Sequence, residues 1–460
     1  MQNKITVKVG QRFPLTIKRL GINGEGIGYF KHKIVFVPFA LPQEVITAEV
    51  TTVNQNYLNA RVTKIRQASP QRVIPKDNEV FGKVGGIELE DLAYDAQLRF
   101  KTSIIKQALA KFKPQNYQNY VIKPTIGMTK PYYYRNKAQF QVKKLTNGKI
   151  IAGLYAPNSH HLIDLPHLAT QSHATMQAMR TIVDIFQQID MSIYDEKRHT
   201  GAIRTIVIRE AQATHELQVT LVTHTAVLSQ QERLLMMIKN RLPQVVSVMQ
   251  NINPNKTSLV WGDKTKLLAG KPQIREMINN YQYDLSARAF FQLNPQQTAR
   301  LYRIAANALN LTPQDNLVDA YCGVGTLGIS MANAVNEVRG MDIIPEAITD
   351  ANHNATINHI TNAHYEVGSA EVVFDKWLRD GFRPTALIVD PPRTGLDQQL
   401  INNILKTKPA KFVYVSCNPS TLARDLVKLA PTYHVDWMQS VDMFPQTARV
   451  EVVTKLSLKK

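Results

Sequence analysis

The chain opens with short alternating runs of apolar and polar residues. Ile5, Val7 and Val9 alternate, and so do Phe13, Leu15 and Ile17. Ile34–Pro38, Val45–Val50 and Ala60–Ile65 read as three further strands, and Gly21, Gly24, Gly26 and Gly28 mark a tight turn region between them. Short strands with glycine turns at this density predict a small β-barrel. Ser69-Pro70 and Pro75-Lys76-Asp77 read as a linker, followed by a glycine-rich loop, Phe81–Ile87. Helical spacing of apolar residues covers Leu92–Phe112 and Ala174–Gln188, and strands are expected at Tyr132–Val142, Arg204–Arg209 and Leu217–Val222. Residues from about 125 to 285 therefore read as an α+β domain. From Ala287 strands and helices alternate. Strands are expected at Leu317–Tyr321, Glu337–Met341, His364–Val367, Ala386–Val389 and Phe412–Val415, with helices at Thr326–Ala334, Pro345–Asn358 and Thr421–Leu429. That order predicts a doubly wound α/β sheet. Tyr433–Gln439 and Arg449–Leu456 have no helix between them, which predicts an antiparallel hairpin at one edge.

A chain of 460 residues is too long for one core and predicts two or three domains. Its 55 Lys and Arg against 36 Asp and Glu leave +19, which suits a polyanionic partner such as nucleic acid, although basic enzymes without one exist. In the barrel, Lys18, Arg19, Lys31, Lys33, Arg61, Lys64 and Arg66 interleave with Tyr29, Phe30 and Tyr57. Such a face can track phosphates and stack bases, or it can be an ordinary solvated face. Arg135, Lys137, Arg204 and Arg209 can grip phosphate or can be strand-edge charges. The N-terminus lacks the pattern of a signal peptide, no apolar run is long enough to span a membrane, and two cysteines suit a reducing cytosol. A cytoplasmic monomer with no membrane association is expected, and no metal site.

Three strand ends carry candidate chemistry. Asp319-Ala-Tyr-Cys-Gly323-Val-Gly325-Thr-Leu-Gly328 joins a strand to a helix, and Asp342 follows at the end of the next strand. Gly323 and Gly325 let the backbone approach a ligand, and an acid at 342 can bind ribose hydroxyls. The motif allows NAD or S-adenosylmethionine. Asp319, placed to meet a cationic methionine moiety, the late position in the chain and the terminal hairpin favour the second. Cys322 reads as packing. Asp390-Pro-Pro-Arg393 ends a second strand; the position after the prolines is Arg393, not the aromatic residue expected of an enzyme acting on exocyclic amines. Cys417, in Ser416-Cys-Asn-Pro419, ends a third. A lone cysteine is usually a small buried hydrophobe, and only its surroundings can make it a nucleophile. Methylating carbon 5 of uracil needs a thiolate for carbon 6, an acid at the uracil edge, a base for the carbon-5 proton and a methyl donor. Cys417, Asp390 and the glycine loop match this need. Glu451, set among strand formers, is either that base or a solvent-facing residue.

Gly21-Ile-Asn-Gly-Glu-Gly-Ile-Gly-Tyr with Ile34–Pro38 resembles a TRAM domain, an OB-like RNA-binding module. Phe290-Phe-Gln292-Leu-Asn294-Pro295, the Asp319–Gly325 loop, Asp390–Arg393 and Ser416–Asp425 together resemble the RNA uracil-5-methyltransferases, closest to those of bacterial 23S ribosomal RNA. The resemblance implies that Cys417 is the nucleophile and Glu451 the base, and that Gln292, Tyr321, Asp342 and Asp390 contact S-adenosylmethionine. Arg135, Lys137, Arg393 and Phe290 are then expected to meet the RNA, 23S ribosomal RNA in free or precursor form. It also implies a discontinuous catalytic domain. The expected division is 1–67 for the barrel, 68–95 with 126–285 for the central domain, and 96–125 with 286–460 for a Rossmann-like methyltransferase domain. Transfer RNA is the competing substrate, and a catalytically silent RNA-binding protein or an NAD-dependent dehydrogenase are the competing classes. Many members carry a four-cysteine iron–sulfur cluster on a loop that here reads Phe81-Gly-Lys-Val84-Gly-Gly-Ile87, so no cluster is expected.

Overall fold

The structure is a computed structural model and describes residues 7–459. The N-terminal barrel is a six-stranded sheet. Its strands, in spatial order, are Arg12–Thr16, Val45–Val53, Tyr57–Gln67, Lys33–Val37, Gly26–Phe30 and Arg19–Leu20. Inward positions at period two (Phe13, Leu15, Val35, Val37, Ile46, Ala48, Leu58) fill its core. The expected turn lies at 21–25, between Arg19–Leu20 and Gly26–Phe30, and the last two glycines of that stretch belong to the second of these strands. A side chain at Gly28 would lie 2.7 Å from Leu15, and one at Gly26 would collide with the Ala40 carbonyl, so these glycines serve close packing across the barrel. Ile5 lies outside the described residues, and Val7–Gly10 ends in a turn with Val9 exposed, so no strand forms over Val7–Val9.

The central domain is a seven-stranded sheet, in order Leu162–Asp164, Ile150–Tyr155, Lys137–Lys144, Ile203–Ala211, Glu216–Thr223, Val245–Ile252 and Lys264–Gly270. Helices His173–Gln188 and Gln231–Arg241 contribute to its core. The strand expected from Tyr132 begins only at Lys137, because Tyr133 takes a left-handed conformation (φ 57°) that breaks the extended run. Two of the four candidate phosphate-gripping cations are structural. Arg209 is 3% exposed and donates to the Ser286 and Ala289 carbonyls, while Arg204 donates to the carbonyls of Asn253, Asn255 and Thr257. Val84 and Ile87, 4% and 1% exposed, pack into this core. The loop around them offers no thiolate and so does not fit an iron–sulfur cluster.

The third unit is an eight-stranded sheet. Five strands are parallel, in order Ala363–Val367, Glu337–Asp342, Asn316–Ala320, Ala386–Val389 and Lys411–Ser416. Glu451–Leu458 follows, antiparallel to both its neighbours, then Tyr433–Val441 and finally Ile122–Ile126, which runs parallel to the latter. Ala386–Val389 and Phe412–Ser416 are buried throughout, as strands covered on both faces must be. One apolar cluster joins the sheet to helices Tyr94–Phe112, Ala370–Arg379, Gln398–Thr407 and Pro419–Leu429. A second joins it to helices Pro295–Leu309, Thr326–Met331 and Pro345–Ile357. The hairpin Gln273–Ser286 packs in this second cluster through Ile274, Tyr283 and Leu285. The hairpin also touches strands Ile203–Ala211, Glu216–Thr223 and Val245–Ile252 of the central sheet, so the expected boundary at 285/286 falls at the end of a segment packed against both units. The whole is α/β: an OB-like barrel, an α+β domain and a Rossmann-like sheet.

Candidate active site

The parallel strands all end at one edge of the sheet, where ligands bind in folds of this kind. Ala320 pairs with Val389 and Val389 with Tyr414, so Tyr321, Asp390 and Cys417 emerge close together. Ser416 pairs with Val452 across the antiparallel ladder. One further step along the same register sets Cys417 against Glu451. Asn418 ends the strand and caps the next helix. Its side chain accepts from the Ser420 amide at 3.1 Å, and Pro419 fills the first helical turn. The Asn418 amide also donates to the Arg393 carbonyl at 2.9 Å, and the Thr421 hydroxyl reaches the same oxygen at 3.3 Å. Arg424 donates to the Thr394 carbonyl, and Asp425 accepts from the Leu396 amide and the Tyr414 hydroxyl. The Cys417 turn and the Asp390–Arg393 turn are thus bonded into one unit. These positioning residues were missed from sequence, although an Asn before a Pro at a strand-to-helix turn is a cap signal.

The glycine loop is held just as closely. Tyr321, Gly323 and Gly325 have φ of 66°, 55° and 80°, and the Cys322 amide donates to the Met341 carbonyl. Cys322 is buried, its thiol pushed up by that burial, in keeping with a packing role. One Asp342 oxygen accepts from the Gly323 amide at 3.1 Å and the other from the Ile344 amide at 2.9 Å, which fixes the carboxylate beside the loop. One Asp319 oxygen accepts from the Gly328 amide, while the other is buried without a partner. Space is open around Gly323, where an added Cβ would meet nothing within 4 Å. A cavity of about 560 Å³ runs from Tyr321, Ile343 and Ser369 to Arg424 and Lys428. These residues fit S-adenosylmethionine: an open glycine turn, an oriented acid, and an orphan carboxylate oxygen for a cation.

Burial governs the titration of the site. It pushes Asp319 and Asp390 up to about 7, with neighbouring carboxylates adding to the shift at Asp319. Glu451, 3% exposed, is raised well above the usual carboxylate range by burial first and then by Asp390, with Arg393 pulling the other way. Cys417 is pushed up to about 12 by burial and then by Glu451 and Asp390, again opposed by Arg393. Among the described residues none of these three acids has an ion-pair partner within 4 Å, and Arg393 acts on Glu451 and Cys417 from farther away. Cofactor binding is therefore expected to depend on pH. An ionised carboxylate attracts the sulfonium, and a carboxyl titrating near 7 must lose its proton to do so. The ratio of S-adenosylmethionine to S-adenosylhomocysteine affinity should rise from pH 6 to pH 8, by roughly tenfold per carboxylate engaged. Titration calorimetry of both ligands measures it, and a ratio constant with pH would refute the assignment.

The remaining candidates lie in the central domain, on the loop 290–294 that meets it, and at Arg393 on the Asp390 turn. Gln292 is buried at the seam with the central domain, and its carbonyl accepts from the Asn136 amide at 3.4 Å; the Asn136 backbone amide reaches the Leu293 carbonyl. Asn294 caps helix Pro295–Leu309. Phe290 is 66% exposed on the same loop. Lys137, half-buried next to Asn136, makes no side-chain hydrogen bond; burial, with Arg209 and Arg135 adding to it, pushes its amine down to about 7. Arg135 is half-buried and Arg393 exposed. No helix among the described residues is long and apolar enough to cross a membrane.

Comparison with known proteins bears on this site directly. The model of the family described as tRNA (uracil-5-)-methyltransferase matches residues 93–459, and that of the TRAM domain matches residues 6–63. An uncharacterized RNA methyltransferase of Lactiplantibacillus plantarum is 59% identical over 98% of this chain and 94% of its own length. A second, from Enterococcus faecalis, is 52% identical over 98% and 99%. Among solved structures, the Pyrococcus abyssi tRNA (uracil-54, C5)-methyltransferase in complex with S-adenosyl-L-homocysteine superposes with a TM-score of 0.76. It is 28% identical, covering 96% of this chain and 99% of that one. The chain belongs to the tRNA (uracil-5-)-methyltransferase family and is an S-adenosylmethionine-dependent RNA methyltransferase with an N-terminal TRAM domain.

Proposed function

We propose that this enzyme methylates carbon 5 of a uridine in 23S ribosomal RNA through a covalent adduct between Cys417 and carbon 6. The observation that carries the reading is the placement of a thiol and two buried carboxyls at one sheet edge beside the glycine loop. S-adenosylmethionine, held by Gln292, Tyr321, Asp342 and Asp390 with the Gly323–Gly325 turn, supplies an electrophilic methyl group. Cys417 adds to carbon 6, and its proton passes to a carboxylate. Asp390, on the neighbouring strand end and close enough to act on the thiol, suits that task and leaves Glu451 for carbon 5. The electron pair displaced from the carbon 5–carbon 6 double bond gives an enolate, nucleophilic at carbon 5. After methylation Glu451 takes the carbon-5 proton, the double bond re-forms, and sulfur leaves as thiolate to recover its proton. Arg393 favours the ionised forms of both Cys417 and Glu451. Phe290, Arg135 and Lys137 face the RNA, and the target must be unstacked, since a thiol cannot reach carbon 6 inside a helix.

Transfer RNA is the second reading, favoured by the likeness to the Pyrococcus abyssi enzyme. Mapping 5-methyluridine in ribosomal and transfer RNA from a strain lacking the gene separates the two. Loss of a 23S site with transfer RNA unchanged is expected, and loss confined to transfer RNA would overturn the ribosomal assignment.

A further inference from the structure

Glu451 opens the strand Glu451–Leu458 and pairs with Val441, and the segment 442–450 closes this hairpin. The ladder of this strand with Lys411–Ser416 is unbroken but ends at Val452, so Glu451 lies one residue past it. The ladder of Tyr433–Val441 shifts between Val435 and Trp437 on one side and between Gln439 and Val441 on the other. The position of Glu451 beside Cys417 therefore depends on how the closing segment is held.

The closing segment is tied down by groups far away in the chain. Lys101, on helix Tyr94–Phe112, forms an ion pair with Asp442 in which both side chains are fully buried, and it also donates to the Phe444 carbonyl at 2.9 Å. The Tyr94 hydroxyl donates to the second Asp442 oxygen at 2.8 Å. Gln97 and Gln446 bond reciprocally: the Gln97 amide reaches Gln446 Oε1 at 2.8 Å, and the Gln446 backbone amide reaches Gln97 Oε1 at 3.0 Å. From the other side Gln297 donates to the Asp442 carbonyl and Asn294 to the Met443 carbonyl. A buried ion pair adds little net stability over well-packed apolar residues, because desolvating both charges offsets their attraction. What it does impose is one geometry.

We propose that the Lys101–Asp442 pair is a positioning device that, by anchoring the closing segment, holds Glu451 in place to take the carbon-5 proton. The proposal rests on the reading of Glu451 as the base. The pair acts late in the reaction, after methyl transfer, so its loss impairs one step selectively. The neutral double variant Lys101→Met/Asp442→Asn of the full chain leaves no buried unpaired charge. It should bind S-adenosylmethionine and transfer methyl in a single turnover within about threefold of wild type, yet resolve the covalent RNA adduct about tenfold or more slowly. Denaturing gels of enzyme with target RNA follow the adduct, and methyl incorporation follows the transfer. Adduct breakdown at the wild-type rate would overturn the proposal, as would equal losses in transfer and breakdown, the mark of a merely structural role. Should that variant fail to fold, Gln97→Leu/Gln446→Met loosens the same segment without touching a charge, and the same criteria apply. If Glu451→Gln builds up adduct and neither double variant does, the base assignment stands and only the positioning role falls.

Discussion

Cys417→Ala is expected to abolish turnover, by about 10⁴-fold or more, while leaving S-adenosylmethionine binding intact. The loss is large because no other group can replace the thiolate. Cys322, the second cysteine, is buried beneath the glycine loop. The structural effect is small by comparison. Cys417 is only half-buried, and its side chain joins none of the hydrogen bonds that tie the Asn418 turn to the Arg393 turn, so roughly 1 kcal/mol of stability is at stake. The reaction itself provides a second check. RNA carrying 5-fluorouridine at the target has no removable proton at carbon 5, so wild-type enzyme should remain attached to it and the Cys417→Ala variant should not. A variant methylating at near-normal rate, or a trapped adduct that forms without Cys417, would remove the nucleophile assignment. The thiol's high pKa adds a condition. At neutral pH on the order of one thiol in 10⁴ or fewer is ionised, so the attacking thiolate must be generated within the substrate complex.

Cys417 illustrates what a sequence carries well. Parallel strands covered on both faces read as unbroken apolar runs, so Ala386–Val389 and Phe412–Val415 were legible, and the residue after such a run lies at the ligand edge of the sheet. Asp390, Cys417 and the glycine loop follow from that geometry. Glu451 does not, because an acid at the head of an antiparallel strand faces solvent or core depending on what lies across the sheet. Period two cannot tell a gripping arginine from a bracing one either. Arg204 and Arg209 sit on a strand with the expected spacing, yet both spend their guanidinium groups on loop carbonyls of a different segment. Tyr132–Tyr134 has the composition of a strand and loses it to one left-handed residue. The Lys101–Asp442 pair joins positions 341 residues apart, and no local pattern announces such a contact.

Glu451→Gln is expected to divide the reaction at its last chemical step. Glutamine matches the shape of glutamate but cannot accept the carbon-5 proton, and a general base contributes about 10²–10⁴-fold. The earlier steps should survive. A neutral side chain at 451 resembles the protonated carboxyl that the substrate-free enzyme favours, so addition to carbon 6 becomes no harder and methyl transfer proceeds. Methylated RNA should therefore accumulate still bound to Cys417, visible as a slow-migrating band whose breakdown is slowed by that factor. The sign of the pH dependence follows from burial. Glu451 in the substrate-free enzyme holds its proton well above the usual carboxylate range and must shed it to act, so adduct breakdown in wild type should quicken as pH rises above that range. The variant has no such proton to lose, and its slow breakdown should be flat over the same range. Loss of methyl transfer together with adduct breakdown would instead make Glu451 a structural residue, whose burial beside Asp390 only shapes the pocket.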